Sequence, residues 1–116
     1  MRNIYKIFEI DANYSRLKAT FRFLQMSKSV SMNNYDLQLE NYMILIDKDV
    51  RDLYIKMNPQ KHFTHIGGVD DFLNKHNTYI KMKSLIDEKL RSCNRSNPLS
   101  VVVYLNYRAI TKYKIC

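Results

Sequence analysis

The chain has 116 residues, 46% hydrophobic and 26% charged, enough for one domain with a single core and too few for two. Nineteen Lys and Arg against eleven Asp and Glu leave a net charge of +8, which favours an anionic partner: nucleic acid, an anionic membrane surface or an acidic protein. Only two glycines and two prolines suit long helices better than a turn-rich β-sandwich, and two cysteines, Cys93 and Cys116, make neither a disulfide framework nor a four-ligand zinc site.

A reducing compartment is the simpler inference from such cysteine usage. No run approaches the roughly 18 to 20 apolar residues that span a bilayer, and no charged start followed by an apolar core marks a secretory signal.

In chain order, Ile10, Tyr14, Leu17, Phe21 and Leu24 recur at helical spacing and predict a first helix over 11–29 with this stripe toward the core. A polar cluster, Ser29, Ser31, Asn33 and Asn34, interrupts it, with Asn34 placed to cap a second helix. Leu39, Tyr42, Met43, Ile46, Val50, Leu53, Tyr54 and Met57 then keep helical phase to Asn58-Pro59, so a continuous helix is preferred to a strand at 42–46. After the break around Pro59 and Gly67-Gly68, Val69, Phe72, Leu73, His76, Tyr79, Ile80, Ile86 and Leu90 predict a third helix over 69–92. Three helices with short connections imply an all-α, antiparallel up-down-up bundle over residues 1–92. Beyond Asn97-Pro98, LSVVVYLNY has strand-like density with no pairing partner, so residues 93–116 are expected to form an extension that packs on a neighbour.

Chemistry is sparse. His62, His65 and His76, with Cys93 as the nearest soft donor, do not make a convincing metal set, and GGVDD lacks the Lys-Ser/Thr of a phosphate loop. With no carboxylate pair or activated nucleophile, no catalytic residues are nominated and no metal is expected. The basic residues are more informative. Lys18 and Arg22 lie one helical turn apart, with Arg22 between Phe21 and Phe23, so they form either a solvated face or an anion-docking ridge. Met43, Tyr54 and other Met and Tyr residues at core phases read as packing, with room in principle for an alkyl chain.

The order of elements, with Thr20-Phe21-Arg22 where Leu-Tyr-Arg would stand, resembles the LYR-motif family, three-helix bundles of mitochondria. Only the arginine is retained; Phe21 is a conservative exchange and Thr20 a departure. Tyr35–Met57, with Val50-Arg51-Asp52-Leu53-Tyr54, and Val69-Asp70-Asp71-Phe72-Leu73 are similar to the second and third helices of the LYR accessory subunit in the matrix arm of respiratory complex I (NADH:ubiquinone oxidoreductase). The likeness covers about residues 20–90.

The resemblance implies a non-catalytic accessory subunit on the matrix side of the mitochondrial inner membrane, peripheral to that membrane and surrounded by other subunits of a large respiratory assembly. Its partner would be the acidic mitochondrial acyl carrier protein, docked through Lys18, Phe21, Arg22 and Arg51. An acyl chain on the carrier's 4′-phosphopantetheine would pass Phe21, Met43 and Tyr54, and the chain itself would bind no cofactor directly. An LYR-type assembly factor is a near relation of this reading. A basic helical RNA-binding protein of a mitochondrial ribosome is the rival, although nucleic acid is not expected, because acids such as Asp47, Asp49 and Asp52 interrupt the cations.

Overall fold

A computed structural model describes residues 3–29, 32–57 and 69–106. Among the described residues the fold is all-helical, with six helices where three were expected: α1 (Ile4–Phe8), α2 (Arg16–Ser27), α3 (Met32–Ile46), α4 (Lys48–Met57), α5 (Val69–Lys89) and α6 (Pro98–Leu105).

The expected first helix over 11–29 starts later, at Arg16, because the Ser15 hydroxyl accepts the Lys18 amide at 3.1 Å and caps α2 there. The preceding residues make a separate short helix, α1, opened by Asn3 and closed at Glu9, which takes the left-handed conformation at φ 54°. Ile10 and Tyr14 therefore lie outside α2, and the stripe that included them does not set its phase. Ala19, Thr20 and Phe23 are the buried residues of α2, and Leu17 and Phe21 face solvent. This corrects the expected core face of the first helix.

Two contacts fix that inward face. The Phe23 ring stacks on Tyr42 with centroids 4.3 Å apart and planes 6° from parallel, and the Thr20 and Tyr42 hydroxyls bond at 2.7 Å. Gln38 donates to the Ser27 hydroxyl at 3.0 Å, so residues rise along α2 as their partners fall along α3 and the two helices are antiparallel.

α3 is the central helix. Every residue from Gln38 to Ile46 is buried, including Glu40 and Asn41, because α2 and α4 pack on α3 and side chains of α5 reach it. Asn34 falls inside α3 rather than capping it. Glu40 is charge-compensated by Lys83 at 3.4 Å and also accepts from Tyr79, while Lys89 pairs with Asp47 at 2.9 Å. These pairs advance together, so α3 and α5 run in the same direction where they meet, which departs from the antiparallel up-down-up order expected over residues 1–92.

The continuous second helix expected over 35–57 is interrupted at Asp47. The Asp47 carboxylate accepts the Val50 amide at 3.1 Å and caps α4. Carbonyls at the end of α3 are met by side chains instead: Ile44 by Arg51 Nε at 3.2 Å, Leu45 by Arg51 Nη2 at 2.9 Å and by the Tyr14 hydroxyl, and Ile46 by Arg16 Nη1 at 3.0 Å. Hydrophobic periodicity is blind to such a break, since the same residues stay buried on both sides of it.

The segment expected to be strand-like forms α6. Asn97 accepts the Leu99 and Ser100 amides and Pro98 occupies the first helical turn, a helix-start arrangement that overrides the β-branched composition of Val101, Val102 and Val103. α6 lies on α2 of the same chain with Val101 fully buried. The connection 58–68, with His62 and His65, and residues 107–116 lie outside the described residues.

Replacing Arg51 by Met strips the Ile44 carbonyl of its partner and is expected to cost about 1–3 kcal/mol in chemical denaturation. Asp47→Ala is expected to cost about 1 kcal/mol, with Asp47→Asn retaining most of the stability because asparagine caps as well.

Candidate functional site

The residues expected to dock a partner are divided by the fold. Arg22, the retained motif residue, turns back on α1: its Nε donates to the Phe8 carbonyl at 2.8 Å, Nη1 to Gln25 at 2.7 Å, and Nη2 pairs with Glu9 at 3.3 Å. The guanidinium caps the C-terminal end of α1 and holds the left-handed turn at Glu9. Arg51 is committed in the same way to the end of α3. Thr20, where the motif would have leucine, points into the core.

Lys18 and Phe21 face outward. Leu17 is 76% and Phe21 66% exposed, and with half-buried Leu24 they follow one line along α2 that ends at Lys28. Lys18 flanks this line, and the sequence of α2, RLKATFRFLQMS, contains no carboxylate. Phe21, Leu24 and Lys28 form one wall of a mostly apolar groove of about 670 Å³ whose other wall is Asn97, Pro98 and Leu99 at the start of α6. Sequence spacing groups Leu17, Phe21 and Leu24 correctly but assigns them inward. The signal that could have reversed this is Ser15, a capping residue that removes Ile10 and Tyr14 from the helix.

The expected acyl path is not gathered into one cavity. Met43 is fully buried in the core, Phe21 lines the α2–α6 groove, and Tyr54 lines a separate groove of about 370 Å³ with Tyr14, Ile44, Leu45 and Arg51. A larger open groove of about 970 Å³ runs between α6 and the end of α5, bordered by Asp47, Lys89, Cys93, Val103 and Tyr104. The Lys89 ammonium there is held by Asp47 and Asp49, whose carboxylates raise its pKa, chiefly through the hydrogen bond to Asp47.

No group of three or more His, Cys, Asp or Glu able to hold a metal occurs among the described residues. His76 is exposed on α5, and Cys93 is a half-buried free thiol whose pKa is raised by burial. Tyr35 is buried with its hydroxyl unpaired, and burial, followed by the nearby Cys93 and Asp36, pushes its pKa up to about 12.

No family model, no curated protein and no solved structure matches this chain. The functional argument rests on geometry and charge.

Two alkaline effects have the same sign. Folding raises the pKa of Tyr35 and of Lys89, so between the unfolded value, about 10 for either group, and the higher folded value the native state binds more protons than the unfolded state. Stability is expected to be intact below about pH 10 and to fall as pH rises through that window. Tyr35→Phe removes an unpaired buried hydroxyl, so it should leave Tm at neutral pH unchanged or raised and should flatten the alkaline fall seen in thermal melts.

Proposed function

We propose that this chain is a non-catalytic helical binding subunit that receives an acidic protein carrying an apolar group. The observation that carries the reading is the line of exposed Leu17 and Phe21 and half-buried Leu24 on a carboxylate-free helix, set beside Lys18 and, at the helix end, Lys28, and opening into the apolar α2–α6 groove. Exposed cations attract and orient a negatively charged partner, and apolar area removed from water supplies most of the affinity.

The narrower form of the proposal is an LYR-type accessory subunit of mitochondrial respiratory complex I, with the acylated acyl carrier protein as the partner. In favour of this form, α2 and α3 are antiparallel; against it, α3 and α5 run in the same direction where they meet, and six helices stand where the family has three. The docking set differs from the one implied by the motif: Lys18, Phe21 and Lys28 meet the carrier, and the α2–α6 groove takes the alkyl chain. Arg22 acts indirectly, by fixing α1 against α2. Arg51 supports the α3–α4 bend.

Pull-down of acylated and unacylated carrier by the full chain tests this. Phe21→Asp and Lys18→Glu are each expected to weaken retention by about tenfold without changing the circular dichroism spectrum, and removal of the acyl group should weaken it further. Arg22→Glu should lower Tm by freeing α1 as well as weakening retention. Undiminished retention by Phe21→Asp rejects the docking face. Recovery of RNA instead, with affinity falling steeply as salt rises, rejects the carrier reading.

A further inference from the structure

We propose that two adjoining grooves beside the α3–α4 break bind a nucleoside monophosphate, with Arg16 and Arg51 on the phosphate and Tyr5, Tyr14 and Tyr54 around the base. The proposal does not depend on the carrier reading, because these grooves share no lining residue with the α2–α6 groove.

Arg22 pairs with Glu9 and Arg95 with Asp87, but Arg16 and Arg51 have no carboxylate partner among the described residues. Their acceptors are the Asn106 amide oxygen and main-chain carbonyls, which satisfy donors and leave each guanidinium charged. The C-terminal end of α3 offers about half a unit of negative charge against these two positive ones. Other acids near the break are taken: Asp47 pairs with Lys89 and Asp52 with Lys48. Asp11 is exposed and lines neither groove. The carbonyl bonds of half-buried Arg51 use Nε and Nη2, so Nη1 can serve a further acceptor.

Both guanidiniums border one groove of about 350 Å³, together with Tyr5, Ala12, Tyr14 and Ile46. It adjoins the more apolar groove of about 370 Å³ lined by Tyr54, since Tyr5, Tyr14, Leu45 and Arg51 belong to both. Each falls in the range of small-molecule sites, about 300–1,000 Å³. A cationic end thus continues into an aromatic one. Tyr5 is 42% exposed, and its ring lies 6.0 Å from that of Tyr14 with the planes 50° apart, so the two do not stack on each other. Tyr14 is fixed by its hydroxyl, which donates to the same Leu45 carbonyl that Arg51 meets.

Charge and shape choose the occupant. A phosphomonoester carries about −1.5 to −2 near neutral pH and matches two guanidiniums, whereas a carboxylate leaves one of them uncompensated. Tyrosine rings favour a flat base, because every base has a π-face to stack, and an aliphatic phosphate would leave those rings in water. Inorganic phosphate would use the arginines alone.

The test is isothermal titration calorimetry of the full chain with adenosine, guanosine, cytidine and uridine monophosphates, and with adenosine, ribose 5-phosphate and inorganic phosphate as the separated parts. At least one monophosphate is expected to bind about tenfold or more tighter than any separated part. Tyr5→Ala removes an exposed ring that takes no part in capping the break, and it should weaken binding about tenfold. Arg16→Gln should weaken it at least as much at unchanged helicity. If helicity falls, the unsubstituted protein supplies the second measurement: the Arg16 and Arg51 Nε resonances should shift on nucleotide addition while the Lys28 amide stays in place.

Four results overturn the proposal: no binding of any of the four monophosphates, equally tight binding of a separated part, undiminished binding by Tyr5→Ala, or shifts at the α2–α6 groove in place of Arg16 and Arg51. Tighter binding of a 5′-phosphorylated tetranucleotide than of any monophosphate overturns the choice of a free nucleotide and assigns the site to a strand end. Carrier retention by Tyr5→Ala should be unchanged, which separates failure here from failure of the docking face on α2.

Discussion

The break at Asp47 is the constraint on which the rest of the fold depends. Stopping a buried helix and restarting it one residue later frees backbone carbonyls in a place where water does not readily reach them. The chain meets that demand with side chains from three directions: Arg51 from α4, Tyr14 from the loop before α2, and Arg16 from the first turn of α2. Asp47 itself caps the new helix and pairs with Lys89, which brings the end of α5 to the same point. One backbone interruption thereby gathers α2, α3, α4 and α5. The bend directs α4 along α5, so the central helix α3 can be covered on several sides by a chain this short.

Arginine serves architecture to an unusual degree. Arg16, Arg22 and Arg51 each donate to main-chain carbonyls at helix ends, where a planar guanidinium can satisfy two or three acceptors that a lysine would cover singly. The consequence for function is a redistribution of charge. The exposed positive charge near α2 is carried by Lys18 and Lys28, while the arginines that look most like anion receptors in the sequence already have acceptors. Release of Arg22 to a partner would have to offset the loss of the Phe8, Gln25 and Glu9 contacts together. What α2 presents outward is therefore a line of apolar side chains edged by lysines.

Periodicity alone makes the interior legible where helices are long and surrounded. It places Leu39, Tyr42, Met43, Ile46 and Val50 inside, and they are buried. The same reasoning fails on α2 because it assumes one uninterrupted helix: with Ile10 and Tyr14 counted in, the winning phase is the one that faces solvent. Local capping chemistry at Ser15 decides where the helix starts, and the Thr20–Tyr42 bond and the Phe23–Tyr42 stack decide which way it turns. Neither contact is a spacing pattern. α6 misleads for a related reason, since three consecutive valines outweigh an Asn-Pro start whose meaning is positional. Of the candidate site, Lys18 and Phe21 face solvent as docking residues must; Arg22 and Arg51 are legible as special but not as internal caps, because their acceptors are backbone atoms remote in sequence or hidden by the bend.

The least enclosed helix is tied to the most constrained point of the fold. α6 is short, and eight residues of helix do not persist in water without a surface to lean on. Val101 gives it one fully buried anchor on α2, and Arg16 gives it another by sharing a guanidinium between Ile46 at the α3–α4 break and Leu105 and Asn106 at the end of α6. Anything that pulls Arg16 away from α6 also uncovers a carbonyl at the break, so opening α6 costs stability in the centre of the molecule and not merely at its edge. That coupling is what allows an uncharged, half-exposed helix to hold its shape without being enclosed. It holds the apolar surface of α6 in a fixed place, and it sets Arg16 apart from the other two capping arginines, whose bonds stay within neighbouring elements.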